Sequence, residues 1–294
     1  MLKIDTVFSG GGMKAYSFIG VLESLEERDI KIVRTAGTSA GAIISTLVAA
    51  NYTAHEIKHF LMTLHAKKLL DAPRLTTVLP FSKWMYLYFQ MGFYRGHTLE
   101  KWLAKKLAHK NIYTFNDIQQ GHLKIIVVDL TLQKVIVIPD DLQKVYQINP
   151  NTFSVAKAAR ISAGFPLFFM PYRLKSKKYV RTSYMVDGGV VSNFPMWVFQ
   201  QTHQLSKRPV LGIKITGNEN RKNIKNIFHF TESLLHMMKQ SYDDYFIEQY
   251  EKDIIFIPVQ KVETMDLSMN NIKKKELITL GKTTAEQFLN KWPN

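Results

Sequence analysis

A serine flanked by glycines near the N-terminus is the residue of this 294-residue chain best suited to covalent chemistry. The segment Gly37-Thr38-Ser39-Ala40-Gly41 follows the apolar run from Ile32 to Thr35 and precedes a helix-like apolar run. A G-x-S-x-G sequence between a strand and a helix is typical of a nucleophile elbow, because small neighbours let the chain turn sharply and expose the hydroxyl. The pattern predicts Ser39 as a nucleophile, with Gly37 and Gly41 supporting the turn.

A glycine triplet follows the first apolar strand. The segment Ser9-Gly10-Gly11-Gly12-Met13-Lys14 comes directly after the run from Ile4 to Phe8. Consecutive glycines leave backbone N–H groups free to face a negatively charged oxygen. The turn therefore predicts an oxyanion hole, completed by the amide after the nucleophile. The predicted residues are Gly10, Gly11, Gly12, Met13 and Ala40. For Lys14 three roles remain open, which are support of the loop, contact with a phosphate group of the substrate and simple exposure to solvent.

A third turn carries an aspartate. The apolar strand from Tyr184 to Asp187 leads into Gly188 and Gly189, and Asn193 follows, where we expect it to hold the turn in shape. Asp-Gly is a common turn dipeptide, so this segment alone says little. We expect the ends of the predicted parallel strands to bring all three turns to one edge of the sheet, where open α/β folds bind ligands.

The three turns, in the order Gly-Gly-Gly-x-Lys, Gly-x-Ser-x-Gly and Asp-Gly-Gly, strongly resemble those of the patatin-like phospholipase family of lipid acyl hydrolases. The resemblance implies a catalytic dyad of Ser39 and Asp187 without a histidine, an acyl-enzyme intermediate and phospholipid substrates. One departure is Ala15, where the family has glycine; alanine is tolerable if the position is helical. The resemblance covers nearly the whole chain, including the segments Phe93–Leu99, Thr114–Ile118, Ala156–Pro166 and Asp266–Ser268.

Alternative functions remain open at this stage. An acyltransferase would use the same serine and pass the acyl group to an acceptor other than water. A lipid- or nucleotide-binding α/β protein without activity is the other alternative. Gly10-x-Gly12-x-x-Ala15 fits the dinucleotide-binding fingerprint, but the acidic residue expected near the end of the second strand is absent. Lys14 likewise lacks the spacing and the following Ser or Thr of a phosphate-binding loop.

A sequence of the zinc-protease type lies at His55-Glu56-Ile57-Lys58-His59. The apolar residues of the same predicted helix, among them Ile57 and Leu61, form a stripe almost opposite the two histidines, at about 100° per residue. The histidines are therefore predicted to face water. No third ligand is identifiable, and we expect neither a metal nor another cofactor.

Basic residues outnumber acidic residues by 39 to 24, which gives a net charge of +15. Such a charge predicts attraction to a polyanion. No zinc-finger spacing, RNP-like motif or helix-turn-helix pattern accompanies it, so we expect an anionic membrane surface and no nucleic acid. A basic surface without a partner is the alternative. The basic residues form three groups, which are Arg173, Lys175, Lys177, Lys178 and Arg181; Lys101, Lys105, Lys106 and Lys110; and Lys273 to Lys275.

The absence of cysteine excludes disulfides and thiolate chemistry. The N-terminus leads directly into a strand, which predicts no secretory signal peptide. The sequence contains no stretch of about 18 uncharged apolar residues, so it predicts no membrane span. We therefore expect a cytoplasmic protein with peripheral membrane contact; the oligomeric state is left open.

Strand-like and helix-like segments alternate along the chain, which predicts an α/β fold with a mostly parallel central sheet and helices on both faces, in a single patatin-like domain of residues 1–294. The predicted strands are Ile4–Phe8, Ile32–Thr35, Leu123–Leu130, Lys134–Ile138, Tyr184–Asp187, Val210–Ile215 and Ile254–Pro258. The predicted helices are Met13–Arg28, Gly41–Ala50, Thr53–His65, Thr98–Lys110, Ser154–Ile161, Ile224–Tyr250 and Asn271–Lys291.

An aromatic-rich segment lies between the helices after the nucleophile and the helix that begins near Thr98. Aromatic residues with polar tips suit a membrane interface or a lid over a lipid site, whereas packing in the core is the alternative. The residues are Phe81, Trp84, Tyr86, Tyr88, Phe89, Phe93 and Tyr94.

Overall fold

A computed structural model of the chain describes residues 1–73, 82–176, 178–202, 208–217, 224–225, 227–260 and 262–292. Within them the strands are β1 (Leu2–Phe8), β2 (Ile30–Thr38), β3 (Gly92–Tyr94), β4 (Leu123–Asp129), β5 (Lys134–Ile138), β6 (Leu167–Phe169), β7 (Tyr172–Leu174), β8 (Ser183–Asp187), β9 (Val210–Thr216) and β10 (Ile254–Pro258). The helices are α1 (Tyr16–Glu27), α2 (Ala40–Ala49), α3 (Ala54–Met62), α4 (Ser82–Gln90), α5 (His97–Ala108), α6 (Asp140–Tyr146), α7 (Val155–Ser162), α8 (Ile227–Tyr250) and α9 (Asn271–Leu289).

The central sheet has the strand order β10-β9-β1-β2-β4-β8-β7, and β5 pairs with β4. Neighbours from β10 to β4 are parallel, whereas β5, β7 and β8 form antiparallel pairs. β3 and β6 form a separate two-stranded parallel sheet. The predicted α/β fold with a mostly parallel sheet is confirmed.

Helices cover both faces of the sheet. Successive residues of the central strands point to opposite sides, so both faces carry apolar side chains that helices bury. On one face Phe8 belongs to a large apolar core with Phe18 of α1 and Ile44 of α2. On the other face Val7 belongs to a smaller core that includes Phe194 and packs against Phe246 of α8. The prediction of helices on both faces is therefore also confirmed.

The predicted elements are present with small shifts at their ends, and β5 and β10 have the predicted bounds. The predicted helix from Met13 is divided, because residues Gly12–Ala15 form a 3-10 turn before α1 begins. Among the elements missed are the short strands β3, β6 and β7 and the helices α4 and α6. No helix among the described residues is both long and apolar enough to cross a bilayer.

Candidate active site

Strands β2 and β8 end head to head against one edge of β4. Thr38 pairs with Ile126, and Asp187 pairs with the next residue, Val127. β5 also pairs with Ile126 and Val127. It therefore occupies one edge of β4, and β2 and β8 share the other edge. Because β2 is parallel to β4 and β8 is antiparallel, their carboxyl ends converge. This convergence brings Ser39, the residue after Thr38, close to Asp187.

The strand ends bring the three turns together as expected, but the direction of β8 differs from that of a parallel strand. β8 runs antiparallel to β4. Asp187 therefore approaches the carboxyl ends of β1 and β2 from the opposite direction.

Ser39 lies in a sharp turn at the start of α2. Its φ of 57° and ψ of −125° are unusual for a non-glycine residue. A Cβ added to Gly37 would lie 2.4 Å from the carbonyl oxygen of Gly41, and one added to Gly41 would lie 2.4 Å from that of Ser9. Both glycines are thus required where β2, α2 and the first glycine turn approach one another. Ser39 is partly exposed, and the positive end of the α2 dipole lies beside it.

Asp187 is buried, with 3% of its surface exposed. Its Oδ1 accepts a hydrogen bond from the backbone N–H of Gly189 at 2.7 Å, so the carboxylate caps the turn that follows it. A Cβ on Gly188 would lie 2.4 Å from the carbonyl oxygen of Ile126 and 3.0 Å from Cγ2 of Thr38. The turn after Asp187 therefore packs directly on the end of β2.

The first glycine turn donates only some of its amides to the protein. The N–H of Gly10 donates to the carbonyl of Asn193 at 2.9 Å, and that of Met13 donates to the carbonyl of Thr264 at 2.9 Å. Within the described part of the chain, the amides of Gly11, Gly12 and Ala40 have no such acceptor. Of the five predicted oxyanion residues, Gly10 and Met13 therefore hold the turn in place, and the other three remain as candidate donors.

Asn193 joins the glycine turns. Besides its carbonyl bond to Gly10, its side-chain Oδ1 would lie 2.4 Å from a Cβ on Gly10 and 3.0 Å from a Cβ on Gly189. A Cβ on Gly10 would in turn lie 3.2 Å from Cβ of Ser39. Asn193 thus links the first glycine turn to the turn after Asp187, a wider role than the predicted support of its own turn.

The C-terminus of α7 contacts the backbone of both predicted catalytic residues. Ser162 is fully buried, and its Oγ accepts the N–H of Ser39 at 2.9 Å and donates to the carbonyl of Ile126 at 2.6 Å. Two residues later, the carbonyl of Gly164 accepts the N–H of Asp187 at 3.1 Å. In the sequence, Ser162 and Pro166 form a Ser-x-x-x-Pro pattern at the end of the segment Ala156–Pro166, and this pattern alone does not indicate a contact with Ser39.

Lys14 and Ala15 lie in the 3-10 turn after the glycines. The carbonyl oxygen of Lys14 accepts the hydroxyl of Ser17 at 2.9 Å, and its side chain is partly exposed. Ala15 is helical, with a φ of −62°. Because alanine readily adopts this conformation, the departure from the family's glycine leaves the loop intact.

An apolar cavity of about 170 Å³ lies beside Ser39. Its walls come from several segments, including α5, the bend after α7 and the loop at residues 264–267. Tyr16, which is also part of the wall, donates its hydroxyl to the carbonyl of Leu61 at 2.8 Å, and burial raises the pKa of this phenol to about 12. The lining therefore stays uncharged near neutral pH. Representative residues are Ile43, Leu64, Leu70, Trp102, Phe165 and Met265.

The histidines of the zinc-protease-like sequence point to solvent, as predicted, whereas Ile57 between them is buried. Glu56 serves the helix itself. It accepts the N–H of Thr53 at 2.8 Å and donates its own N–H to the Thr53 hydroxyl at 3.2 Å, which forms a capping box at the start of α3. The glutamate of the zinc-protease-like sequence therefore has a structural role at the start of α3.

Comparison with known proteins identifies a family match. The family model described as Patatin-like phospholipase matches residues 6–199, which include all three glycine turns. The uncharacterized protein YqhO of Bacillus subtilis strain 168 is 43% identical over 295 residues, with 99% of each chain covered. The uncharacterized protein R571 of Acanthamoeba polyphaga mimivirus is 24% identical over 306 residues, covering 99% of this chain and 95% of that protein.

Solved structures share the fold at low identity. VipD from Legionella pneumophila matches with a TM-score of 0.59 and 17% identity, over 98% of this chain and 66% of that chain. The type III effector ExoU of Pseudomonas aeruginosa matches with a TM-score of 0.53 and 16% identity, over 98% and 53%. This chain therefore spans just under two thirds of the first protein and about half of the second. At these identities the similarity establishes the architecture.

Proposed function

The chain belongs to the patatin-like phospholipase family, a family of lipid acyl hydrolases, and from this premise we propose that it cleaves fatty-acyl esters of membrane phospholipids through Ser39 and Asp187. The proposal rests chiefly on one observation, the convergence of the carboxyl ends of β2 and β8 on consecutive residues of β4. The apolar cavity beside Ser39 supports it, because a fatty-acyl chain needs such a wall.

In the first half of the reaction, the hydroxyl of Ser39 attacks the ester carbonyl while the carboxylate of Asp187 accepts its proton. The resulting oxyanion is stabilised by the amides of Gly11, Gly12 and Ala40 and by the positive end of α2. When the tetrahedral intermediate collapses, the lysophospholipid leaves and takes the proton from Asp187. The acyl group remains on Ser39 as an ester.

In the second half, Asp187 accepts a proton from water, and the hydroxide attacks the acyl-enzyme. Collapse of the second intermediate releases the fatty acid and returns the proton to Ser39. A carboxylate is a weaker base than imidazole, so oxyanion stabilisation carries more of the rate enhancement. Each donor is worth about 10²–10³-fold in rate.

The substrate of this reaction lies in a bilayer, so we also propose peripheral contact with an anionic membrane from the cytoplasmic side. The net charge of +15 supports this partner, because each Lys or Arg near an anionic surface contributes about 1 kcal/mol.

The direct test is product analysis. Purified protein incubated with phospholipid vesicles in EDTA-containing buffer is expected to release free fatty acid and lysophospholipid, measured by mass spectrometry. Activity should persist in EDTA because the proposed chemistry uses a serine and a carboxylate. Addition of alcohol or lysolipid separates hydrolysis from acyl transfer.

Two results would contradict the proposal. Loss of activity in EDTA that is restored by a divalent cation would rule out the metal-independent mechanism. Acylated acceptor without free fatty acid would favour the acyltransferase alternative.

Ser162 provides a further prediction. Replacing the buried Ser162 with Ala leaves the Ser39 N–H without its acceptor, at a cost of about 1–3 kcal/mol in the free energy of unfolding. The loosened elbow should lower kcat about 10-fold with little change in KM, because a misplaced nucleophile costs rate rather than binding. The rate of Ser39 labelling by a fluorophosphonate should fall in parallel.

Ser45→Ala is the matched control. Ser45 is also fully buried near the elbow, but its hydroxyl has no hydrogen-bond partner among the described residues. Its removal should leave both kcat and the labelling rate unchanged. Equal effects of Ser45→Ala and Ser162→Ala on the labelling rate would show that Ser162 has no specific positioning role.

A further inference from the structure

The short helix α4 and the residue after it expose a group of apolar side chains that we call the α4 patch, consisting of Met85, Tyr88, Phe89 and Met91. Tyr88 is 80% exposed and Phe89 62%. Their rings pack edge to face on each other, with centroids 4.9 Å apart. Of the aromatic segment predicted to be a membrane interface or core, these two residues lie outside the core, whereas Phe93 and Tyr94 are half-buried. Phe81 and the side chain of Trp84 lie outside the described residues.

A basic segment, described in the structure over residues 172–176 and 178–182, lies beside the α4 patch. The guanidinium of Arg173 donates to Oε1 of Gln90, the last residue of α4, at 3.2 Å. Lys175, Lys178 and Arg181 are exposed in the same segment. Neither residues 172–182 nor residues 72–99 contain an Asp or Glu. Both sequence segments are therefore basic, and Asp71 and Glu100 are the first acidic residues on either side of residues 72–99.

The α4 patch is also continuous with the wall of the cavity beside Ser39. β3 directly follows the patch and pairs with β6. The ring of Tyr94 in β3 lies 4.8 Å from that of Phe168 in β6, and Phe168 lines the cavity. One pair of short strands thus connects the exposed aromatic residues to the proposed acyl-binding wall.

We propose that the α4 patch and the basic segment together dock the protein on a bilayer rich in anionic phospholipid. The rings of Tyr88 and Phe89 enter the interface, where aromatic side chains are favoured, and the cations of the basic segment contact the head groups. This inference rests on the proposed function, because docking at this surface brings the cavity and Ser39 to the substrate.

The exposed apolar stripe of α8 is a weaker candidate for the same role. Phe230, Leu234 and Met237 are at least half exposed, so apolar exposure alone does not distinguish the two helices. Residues 227–250, however, contain four acidic residues and one lysine. Their net negative charge opposes an anionic bilayer, so the charge favours the α4 patch.

The test measures binding without catalysis. All variants carry Ser39→Ala, and their binding is measured by co-sedimentation with phosphatidylcholine vesicles that contain or lack phosphatidylglycerol. The pair Tyr88→Ala and Phe89→Ala should weaken binding to the anionic vesicles more than about 10-fold, because two buried aromatic rings are lost. The pair Lys178→Glu and Arg181→Glu should weaken it by more than about 10-fold as well.

Two control pairs match these changes elsewhere. Met237→Ala and Tyr245→Ala remove two α8 side chains that are each 68% exposed. Lys3→Glu and Lys31→Glu reverse the same number of charges at two exposed lysines, which pair at the amino ends of β1 and β2, away from Ser39. Both control pairs should bind anionic vesicles as the parent does.

Weakened binding in both test pairs with unchanged controls supports the docking surface. Parental binding in either test pair, a comparable loss in a control pair or equal binding to vesicles without phosphatidylglycerol overturns it. These outcomes are independent of hydrolysis, because the parent variant lacks the nucleophile. Failure of the proposed function would be seen separately, as wild-type protein that releases no fatty acid.

Discussion

Replacing Ser39 with Ala should lower the rate of fatty-acid release from phospholipid vesicles by about 10⁴-fold or more. Without the hydroxyl no acyl-enzyme can form, and the residual rate is that of water in a site that still stabilises an oxyanion. The substitution removes one atom at a partly exposed position, so we expect the thermal unfolding midpoint to change little. Release of fatty acid is measured by mass spectrometry at matched protein concentrations.

A covalent probe makes this result specific. A fluorophosphonate should label the wild-type protein once, and peptide mapping should locate the label at Ser39. Ser39→Ala should remain unlabelled, while Ser45→Ala should be labelled like the wild type. Activity retained by a folded Ser39→Ala protein, or a label on another serine, would assign the chemistry elsewhere.

The elbow at Ser39 could be predicted from sequence because its determinants are local. Gly37 and Gly41 lie within two residues of the serine, and the apolar runs on either side identify a strand and a helix. The backbone at Ser39, with a φ of 57°, agrees with the sharp turn that this pattern implies. Short-range steric constraints are visible in one sequence, since only the smallest residues allow the backbone atoms to approach.

The arrangement around Asp187 could not be predicted in the same way. The sequence identified the strand and the turn, but nothing in it indicated that β8 runs antiparallel to β4 and continues the edge that β2 leaves. The direction of β8 depends on the connection through the short strands β6 and β7. Each of these strands has only three residues, which is too few for a periodic pattern that would predict a strand from sequence. The strand and the turn at Asp187 were therefore predicted better than the strand direction that brings Asp187 close to Ser39.

The first glycine turn, at residues 9–14, illustrates a similar limit. A glycine triplet shows which amides are sterically accessible, but their use depends on distant acceptors. The carbonyls that take the Gly10 and Met13 amides belong to Asn193 and Thr264, far away in the chain. Only the folded structure could reduce the candidate donors to Gly11, Gly12 and Ala40.

The role of Asp187 as base yields the second large effect. Asp187→Asn should lower kcat about 10³–10⁴-fold, because an amide cannot accept the proton of Ser39. The side-chain oxygen of asparagine can still accept the Gly189 N–H that Asp187 now accepts at 2.7 Å. The turn should therefore survive, and the thermal unfolding midpoint should change by only a few degrees.

Asp129→Asn is the matched control, because it makes the same change from carboxylate to amide on the neighbouring strand β4. Asp129 is fully buried in β4 and accepts the hydroxyl of Tyr146 at 2.6 Å. Its replacement should lower stability without a comparable loss of kcat per folded molecule. Two outcomes would assign the base to another residue. One is an Asp187→Asn protein that keeps more than about a tenth of wild-type kcat, because loss of a general base usually costs far more. The other is an Asp129→Asn protein that loses as much activity as Asp187→Asn. A large loss confined to Asp187→Asn, with Ser39 still labelled slowly by the fluorophosphonate, is the result that a Ser–Asp dyad requires.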